Sequence, residues 1–268
     1  MIKQDDRYKK SGEKTIGLLK IMDRLRKECP WDAKQTHYSL RPYLLEETYE
    51  VLETIDREEW NQLAGELGDL LLQIIFHSVI ASEKGRFDFA DVVDHISQKL
   101  TERHPHVFGN KQINDAKTVQ ENWEHTKVKN EERESILSGV PNTMPALLQA
   151  QRLQEKAATV GFDWGALQPV MEKVDEEWQE FKTAVNNKDL PNAREEFGDL
   201  LFSVVNIARF IDMNAEDALR NTNQKFIRRF LYIEKQYNNS PEAMKAATLE
   251  ELDHYWNEAK GQKKKDER

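Results

Sequence analysis

The sequence has few of the residues that interrupt helices. Its 268 residues include only 11 glycines and 8 prolines, which argues against a chain of many tight turns. Long apolar runs are also missing, since the longest, Leu70–Ile75, is interrupted by Gln73. That run is far shorter than the ~20 residues that cross a bilayer. We therefore expect long helices and no membrane partner.

The chain also has a single cysteine and fewer basic than acidic residues. A lone cysteine, Cys29, cannot form an internal disulfide and suits a reducing cytoplasm. Residues Met1–Lys10 are charged and lack the apolar stretch of a secretory signal. With 39 basic and 48 acidic residues the net charge is −9, and an acidic surface binds nucleic acid poorly. We expect a cytoplasmic protein without a nucleic-acid partner, whose phosphorylated substrate would need a metal ion.

Apolar residues recur at helical spacing along nearly the whole chain, and no segment shows the alternation of a strand. The fold class is therefore predicted to be all-α. A proline near the first turn begins the helix at about 42–56, and Gly85 ends the next one at about 59–83. Further helices are predicted after Asp88, at 169–186, at 191–210, and after Thr248, with a loop at 104–115.

An internal repeat divides the chain. Glu47, Glu50, Glu66 and Asp69 recur as Glu177, Glu180, Glu196 and Asp199, all at an offset of 130 residues. Further matches pair Gln98-Lys99 and Arg103 with Gln224-Lys225 and Arg229, and Trp123 and Lys127 with Trp256 and Lys260. Such agreement indicates a tandem duplication. We predict an N-terminal helical domain at 1–133, a linker at 134–145 and a C-terminal helical domain at 146–268.

The repeated acids have the spacing of a metal site. Residues three or four apart share one helix face, so each copy offers two acids on each of two neighbouring helices. Glu66 and Asp69 lie in an otherwise apolar stretch, where carboxylates are costly to bury unless they are paired or bind a metal. Oxygen ligands favour Mg²⁺, with Mn²⁺ as an alternative. A solvated acidic face remains the other interpretation, whereas a di-iron site would need Glu-x-x-His pairs.

Basic and aromatic residues of the second half are candidates for substrate binding. Lys225, Arg228 and Arg229 lie on one helix and could contact phosphate oxygens. Trp256 could stack on a base and Lys260, one turn later, could contact a phosphate; ordinary surface charge and a core tryptophan are the alternatives. Where the second half has Lys173 and Arg228, the first has Tyr43 and Glu102. The second half is therefore the better equipped for a polyphosphate.

Taken together, these motifs resemble the MazG family of nucleoside triphosphate pyrophosphohydrolases. The resemblance rests on Leu45–Glu50 with Gly65–Asp69, on their second copy at Glu176–Glu180 and Glu195–Asp199, and on the segments Gly161–Trp164, His104–Phe108 and Lys225–Phe230. It implies an all-α fold whose four-helix bundle is completed by a homodimer. It also implies cleavage of the α–β phosphoanhydride to nucleoside monophosphate and pyrophosphate.

The resemblance also assigns roles to residues. It implies that the second copy carries the activity, with Glu177, Glu180, Glu196 and Asp199 as metal ligands. Implied substrate contacts are Lys173, Lys225, Arg229 and Trp256. One departure is Asn192, which stands where a lysine is expected. As a hypothesis, Glu176 orients the attacking water as a base, and Lys225 and Arg229 stabilise the leaving pyrophosphate.

Three alternatives stay open. The first copy, with Glu47, Glu50, Glu66 and Asp69, is either a second active site or a degenerate copy kept for the dimer interface. The chain could instead be a non-enzymatic helical adaptor for a basic partner protein. It could also be a pyrophosphatase of narrow range, acting on dUTP or phosphoribosyl-ATP. The base preference does not follow from the sequence.

Overall fold

The computed structural model describes residues 2–109 and 135–266, with side chains at 6–109 and 135–261. Within these ranges every regular element is helical, as predicted. The chain divides into two compact units, Met1–Asn114 and Asp115–Arg268, which are described separately below. The start of the predicted linker and the predicted counterparts Trp123 and Lys127 lie outside the described residues, so the domain boundary stays a prediction.

The first unit is built around a helical hairpin. Its elements are α1 (Ile2–Glu28), a short 3₁₀ helix (Asp32–Lys34), α2 (Arg41–Asp56), α3 (Trp60–Ser82), α4 (Phe89–Arg103) and α5 (Pro105–Phe108). Helices α2 and α3 pack most extensively against each other, while α1 and α4 contact α3. The hairpin therefore places the acids of α2 beside those of α3.

Local sequence signals account for the helix ends. Asp88 caps α4 by accepting hydrogen bonds from the Ala90 and Asp91 amides, at 2.7 and 3.1 Å, which satisfies donors that the first turn leaves free. Gly85 follows α3 with a φ of +60°, the left-handed conformation that commonly ends a helix.

The loop prediction at 104–115 was wrong for Pro105–Phe108, which form one helical turn. Proline fits the first position of a helix because it has no amide hydrogen to leave unbonded.

Helix α3 supplies the core of the first unit. Ile75, Phe76 and Ile80 are buried and pack with Met22 of α1 and with Leu40. By length and composition Trp60–Ser82 is apolar enough to cross a membrane, which the short apolar runs of the sequence did not indicate. Mostly buried core helices pass the same criterion, but the 18-residue window of α3 is 28% buried. Helix α3 also carries the charged residues Glu66 and Asp69. The expectation of no membrane partner therefore stays a prediction.

The second unit repeats the hairpin. Its elements are α6 (Ala146–Ala158), α7 (Leu167–Asn186), α8 (Leu190–Phe210), α9 (Ala215–Gln236), α10 (Pro241–Ala246) and α11 (Leu249–Asp266). Helices α7 and α8 pack as α2 and α3 do, α6 packs on α8, and α9 packs on α11. Val205 is buried at the position that Ile75 occupies in the first unit, 130 residues earlier. The short α10 was not foreseen, and α7 begins at Leu167 rather than Pro169.

An arginine fixes the connection before α7. Arg209 of α8 binds both carboxylate oxygens of Asp163, with one nitrogen–oxygen distance of 2.9 Å. Paired hydrogen bonds between guanidinium and carboxylate are strong and directional. The segment Gly161–Trp164, noted in the sequence without a role, is thereby held against the end of α8.

Two histidines meet inside the first unit. The Nδ1 atoms of His37 and His77 lie 2.8 Å apart, in rings that are parallel to within 1°. One nitrogen must donate and the other accept, so the contact requires at least one neutral ring. Burial, followed by the charge of His37, lowers the pKa of His77. The second unit has Leu167 and Ile207 at the corresponding positions, so this pair belongs to the first unit alone.

The histidine pair predicts a pH-dependent stability. Because the folded pKa of His77 is lowered, the unfolded chain binds more protons below the ordinary histidine pKa of about 6.5. The free energy of unfolding is therefore expected to fall as the pH drops through that value. Urea unfolding at pH 8 and pH 5.5 measures this loss. A chain with His37→Leu and His77→Ile, the residues of the second unit, should lose less stability over this range; an equal loss contradicts the prediction.

Candidate metal and nucleotide site

Each unit brings three carboxylates together between the helices of its hairpin. In the second unit these are Glu177 of α7 with Glu196 and Asp199 of α8, whose ligand oxygens all lie within 4.8 Å of one another. We call this set the second acid group. The matching first acid group consists of Glu47, Glu66 and Asp69, whose ligand oxygens also lie within 4.8 Å of one another. The three-residue spacing on α3 and α8 thus produces the shared face that the sequence predicted.

The carboxylates of each group repel one another. Burial, together with the charges of Glu180 and Glu177, raises the pKa of Glu196. Burial and the charges of Asp69 and Glu50 raise the pKa of Glu47 in the same way. Acids held this close favour a bound cation, which would offset their repulsion. All the donors are carboxylate oxygens, the ligand type that Mg²⁺ and Mn²⁺ prefer.

Burial differs between the two groups. Glu177 is only 6% exposed, whereas Glu196 is half-buried and Asp199 is exposed. In the first group Glu47 and Glu66 are half-buried and Asp69 is exposed. Partial burial was expected for Glu66 and Asp69; it is confirmed for Glu66 and wrong for Asp69, which is exposed like its counterpart Asp199. Of the two acid groups, only the second contains a buried carboxylate. That carboxylate needs a positive partner.

Two predicted ligands lie at the edge of the groups. Glu180 and Glu50 act through their charges on Glu196 and Glu47, respectively. Among the residues that the structure describes, neither belongs to a set of three within 4.8 Å. Their exposed side chains stand one helical turn after Glu177 and Glu47. Their role as a fourth ligand stays a prediction.

Lys173 binds the buried acid of the second group. Its Nζ lies 2.8 Å from Oε1 of Glu177 and 3.0 Å from Oε1 of Glu176. The hydrogen bonds to Glu177 and Glu176 hold the pKa of Lys173 well above its usual value. Sequence reasoning placed Lys173 among the substrate contacts and missed this pairing. The spacing of four residues between Lys173 and Glu177 on one helix was the available signal.

The predicted phosphate contacts of α9 are not joined to the acid group. Lys225 and Arg228 are exposed and Arg229 is half-buried. Among the ion pairs of the described residues, none links these three side chains to Glu177, Glu196 or Asp199. Their role in binding phosphate stays a prediction.

Trp256 has packing partners in this structure. Its ring centroid lies 5.3 Å from that of Phe226, and the Arg229 guanidinium carbon lies 5.3 Å from the same centroid. Lys260 Nζ donates to Oδ1 of Asn257 at 3.1 Å. The ring therefore joins α11 to α9, in line with the packing alternative. A role in base stacking stays a prediction, as does phosphate binding by Lys260.

Comparison with known proteins identifies the arrangement. The family model described as the MazG nucleotide pyrophosphohydrolase domain matches twice, at residues 35–108 and 166–231. Those two ranges contain the two hairpins with their acid groups. The chain belongs to the MazG family. Members are generally dependent on a divalent metal, which agrees with the carboxylate donors of both groups.

Curated MazG relatives cover nearly the whole chain. The nucleoside triphosphate pyrophosphohydrolase of Escherichia coli K12 is 44% identical over 255 residues, which are 91% of this chain and 96% of that protein. The nucleoside triphosphate pyrophosphohydrolase/pyrophosphatase MazG of Thermotoga maritima is 43% identical over 248 residues, 91% of this chain and 94% of the relative. The similarity therefore includes both copies of the repeat.

Proposed function

We propose that this chain is a Mg²⁺-dependent nucleoside triphosphate pyrophosphohydrolase whose second copy carries the reaction. The chain cleaves a nucleoside triphosphate between the α and β phosphates, giving a nucleoside monophosphate and pyrophosphate. One observation supports the proposal most: the second acid group contains a buried glutamate, Glu177, beside a lysine. That combination provides both metal ligands and a cation for a phosphate.

The residues of the second copy divide into three roles. Glu177, Glu180, Glu196 and Asp199 hold the metal ion. Lys173, Lys225, Arg228, Arg229 and Lys260 bind phosphate oxygens, and Trp256 positions the base. When bound, Mg²⁺ supplies positive charge to the polyphosphate and lowers the pKa of a coordinated water.

Glu176 is the candidate general base of the second copy. It is exposed and lies beside Glu177 without belonging to the group of three. Its Oε1 accepts a hydrogen bond from Lys173, so one oxygen already has a partner. The other oxygen remains to orient a water molecule for attack on the α phosphate.

We further propose that the protein is a cytoplasmic homodimer. The two hairpins expose large apolar residues at matching positions, such as Leu67 with Phe197 and Ile74 with Val204, all between 40% and 48% exposed. Apolar surface of this extent on a helix pair favours association with a second pair. A dimer would complete a four-helix bundle around each acid group.

The experiment that tests the activity is a substrate panel with full-length protein. We expect monophosphate and pyrophosphate release from several triphosphates with Mg²⁺, and none after chelation with EDTA. Release from dUTP or phosphoribosyl-ATP alone would support the narrow-range alternative. No release from any substrate at saturating Mg²⁺ would contradict the proposal and favour an adaptor.

A further inference from the structure

The two acid groups differ in whether a basic side chain is bound to them. In the second copy, the Lys173 ammonium lies between Glu177 and Glu176, at 2.8 and 3.0 Å. The Glu177 side chain is 8% exposed and that of Lys173 is 35% exposed. The lysine therefore neutralises a carboxylate that would be costly to leave charged and unpaired inside the protein.

The described residues of the first copy show no such ion pair. Tyr43 stands where the second copy has Lys173, and its ring meets the edge of Trp31 with the centroids 6.0 Å apart. Across the described side chains, no ion pair reaches Glu47, Glu66 or Asp69. Among the described side chains, the second acid group therefore has a cation of its own chain bound to it, whereas the first has none in an ion pair.

We propose that Lys173 is a resident counter-cation that makes divalent-ion binding in the second copy depend on nucleotide. The proposal rests on the proposed function, because it concerns the same metal and substrate. The Lys173 Nζ lies 2.8 Å from one oxygen of Glu177, so a divalent ion bound to that carboxylate is repelled by a neighbouring positive charge. A triphosphate offers the ammonium a new anionic partner, so nucleotide draws the ammonium away and makes ion binding easier.

Two consequences follow from this exchange. Ion and nucleotide reinforce each other at the second copy, and the coupling is reciprocal by thermodynamic necessity. The first copy, where Tyr43 cannot compete for the carboxylates, binds a bare divalent ion without nucleotide. Lys173 therefore sets the affinity for the metal in addition to contacting phosphate.

The test measures Mn²⁺ binding, without nucleotide, by electron paramagnetic resonance of the free ion. Full-length protein carrying Glu66→Gln limits binding to the second copy. In that background we expect Lys173→Met to tighten Mn²⁺ binding by about tenfold, because a competing charge is removed. Lys173→Arg keeps the charge and should bind as the parent does. Conversely, Tyr43→Lys in a Glu196→Gln background should weaken binding to the first copy.

A matched control lies on the same helix. Lys182 is nine residues from Lys173, on the opposite face of α7, with its Nζ 5.5 Å from the Trp178 ring centroid. Lys182→Met removes one positive charge from the chain without touching the acid group. Mn²⁺ affinity should then be unchanged, which separates a local effect from a change in overall charge.

A second measurement distinguishes competition by the Lys173 ammonium from misfolding of the Lys173→Met variant. Calorimetric titration with an α,β-methylene triphosphate at saturating Mn²⁺ should show about tenfold weaker binding for Lys173→Met. Loss of the lysine is thus expected to act in opposite directions on the bare ion and on the nucleotide. A variant that folds badly, seen by circular dichroism, would weaken both, and the gain-of-charge variant Tyr43→Lys then carries the comparison.

The outcomes separate this proposal from the proposed function. If Mn²⁺ binds and triphosphates are cleaved, but Lys173→Met leaves bare-ion affinity unchanged or weaker, the counter-cation role is wrong and the enzyme assignment stands. If the second copy binds no Mn²⁺ and releases no monophosphate, the proposed function itself fails.

Discussion

Glu196→Gln is expected to abolish pyrophosphate release, while Glu66→Gln, its counterpart in the first copy, leaves most of it. Glu196 sits in the group that also has Lys173, whereas the first group has Tyr43 at that position. Loss of a residue that merely supports a metal ligand typically costs about 10- to 100-fold in metal affinity or activity. Removing a ligand should cost at least the upper end of that range. Steady-state assays of both variants at saturating Mg²⁺ make the comparison.

The substitution should leave the fold intact. Mutual repulsion with Glu180 and Glu177 contributes to raising the pKa of Glu196, so a neutral side chain of the same shape relieves repulsion in the metal-free protein. Thermal unfolding without metal should therefore show no loss of stability, and the stabilisation by added Mg²⁺ should shrink. Equal losses of activity in Glu66→Gln and Glu196→Gln would make the first copy a second active site. Full activity in Glu196→Gln would contradict the metal assignment.

Much of the hairpin could be predicted because its signals are local or repeated. The three-residue spacing of Glu196 and Asp199 places them on one helix face wherever the helix forms. The same acids recur 130 residues later, and this repetition indicates a duplication rather than a chance pattern. Outside the hairpins, the predicted start of α4 depends on the short side chain of Asp88, which bonds amides two and three residues away. Such signals need no knowledge of the tertiary fold.

Contacts between distant residues could not be predicted in the same way. His37 and His77 are 40 residues apart, and nothing in either neighbourhood indicates that the rings meet. The packing of Trp256 against Phe226 likewise depends on how α9 and α11 approach each other. In contrast, the pairing of Lys173 with Glu177 was within reach from spacing. Sequence reasoning missed it because a lysine beside a polyphosphate site is equally suited to bind a phosphate.

The two copies share a hairpin but differ in what surrounds their acids. The first unit pairs His37, which precedes α2, with His77 of α3, where the second has Leu167 and Ile207. The second unit has Lys173 where the first has an aromatic ring. Duplication thus preserved the elements that set ligand geometry, and the charges beside the ligands diverged. Because charge beside the ligands governs metal and phosphate binding, this divergence supports unequal roles for the copies.

Val204→Glu combined with Ile74→Glu is expected to convert the protein from a dimer to a monomer. Both side chains are exposed, at 46% and 40%, and they occupy matching positions on α8 and α3. In a bundle completed by a second chain they would face its helices, where an unpaired carboxylate is costly. Size-exclusion chromatography with light scattering should give twice 31.4 kDa for the parent and 31.4 kDa for the double variant.

The control for the dimer prediction is Val160→Glu. Val160 is 61% exposed but follows α6, outside both hairpins, so an acid there should leave the mass of the parent unchanged. Since both hairpin positions already face outward in the isolated chain, circular dichroism should show that the double variant keeps its helices. A double variant with the parent's dimeric mass would place the interface elsewhere. A parent that is monomeric at micromolar concentration would contradict the homodimer. The exposed apolar positions would then not be covered by a second copy of the chain.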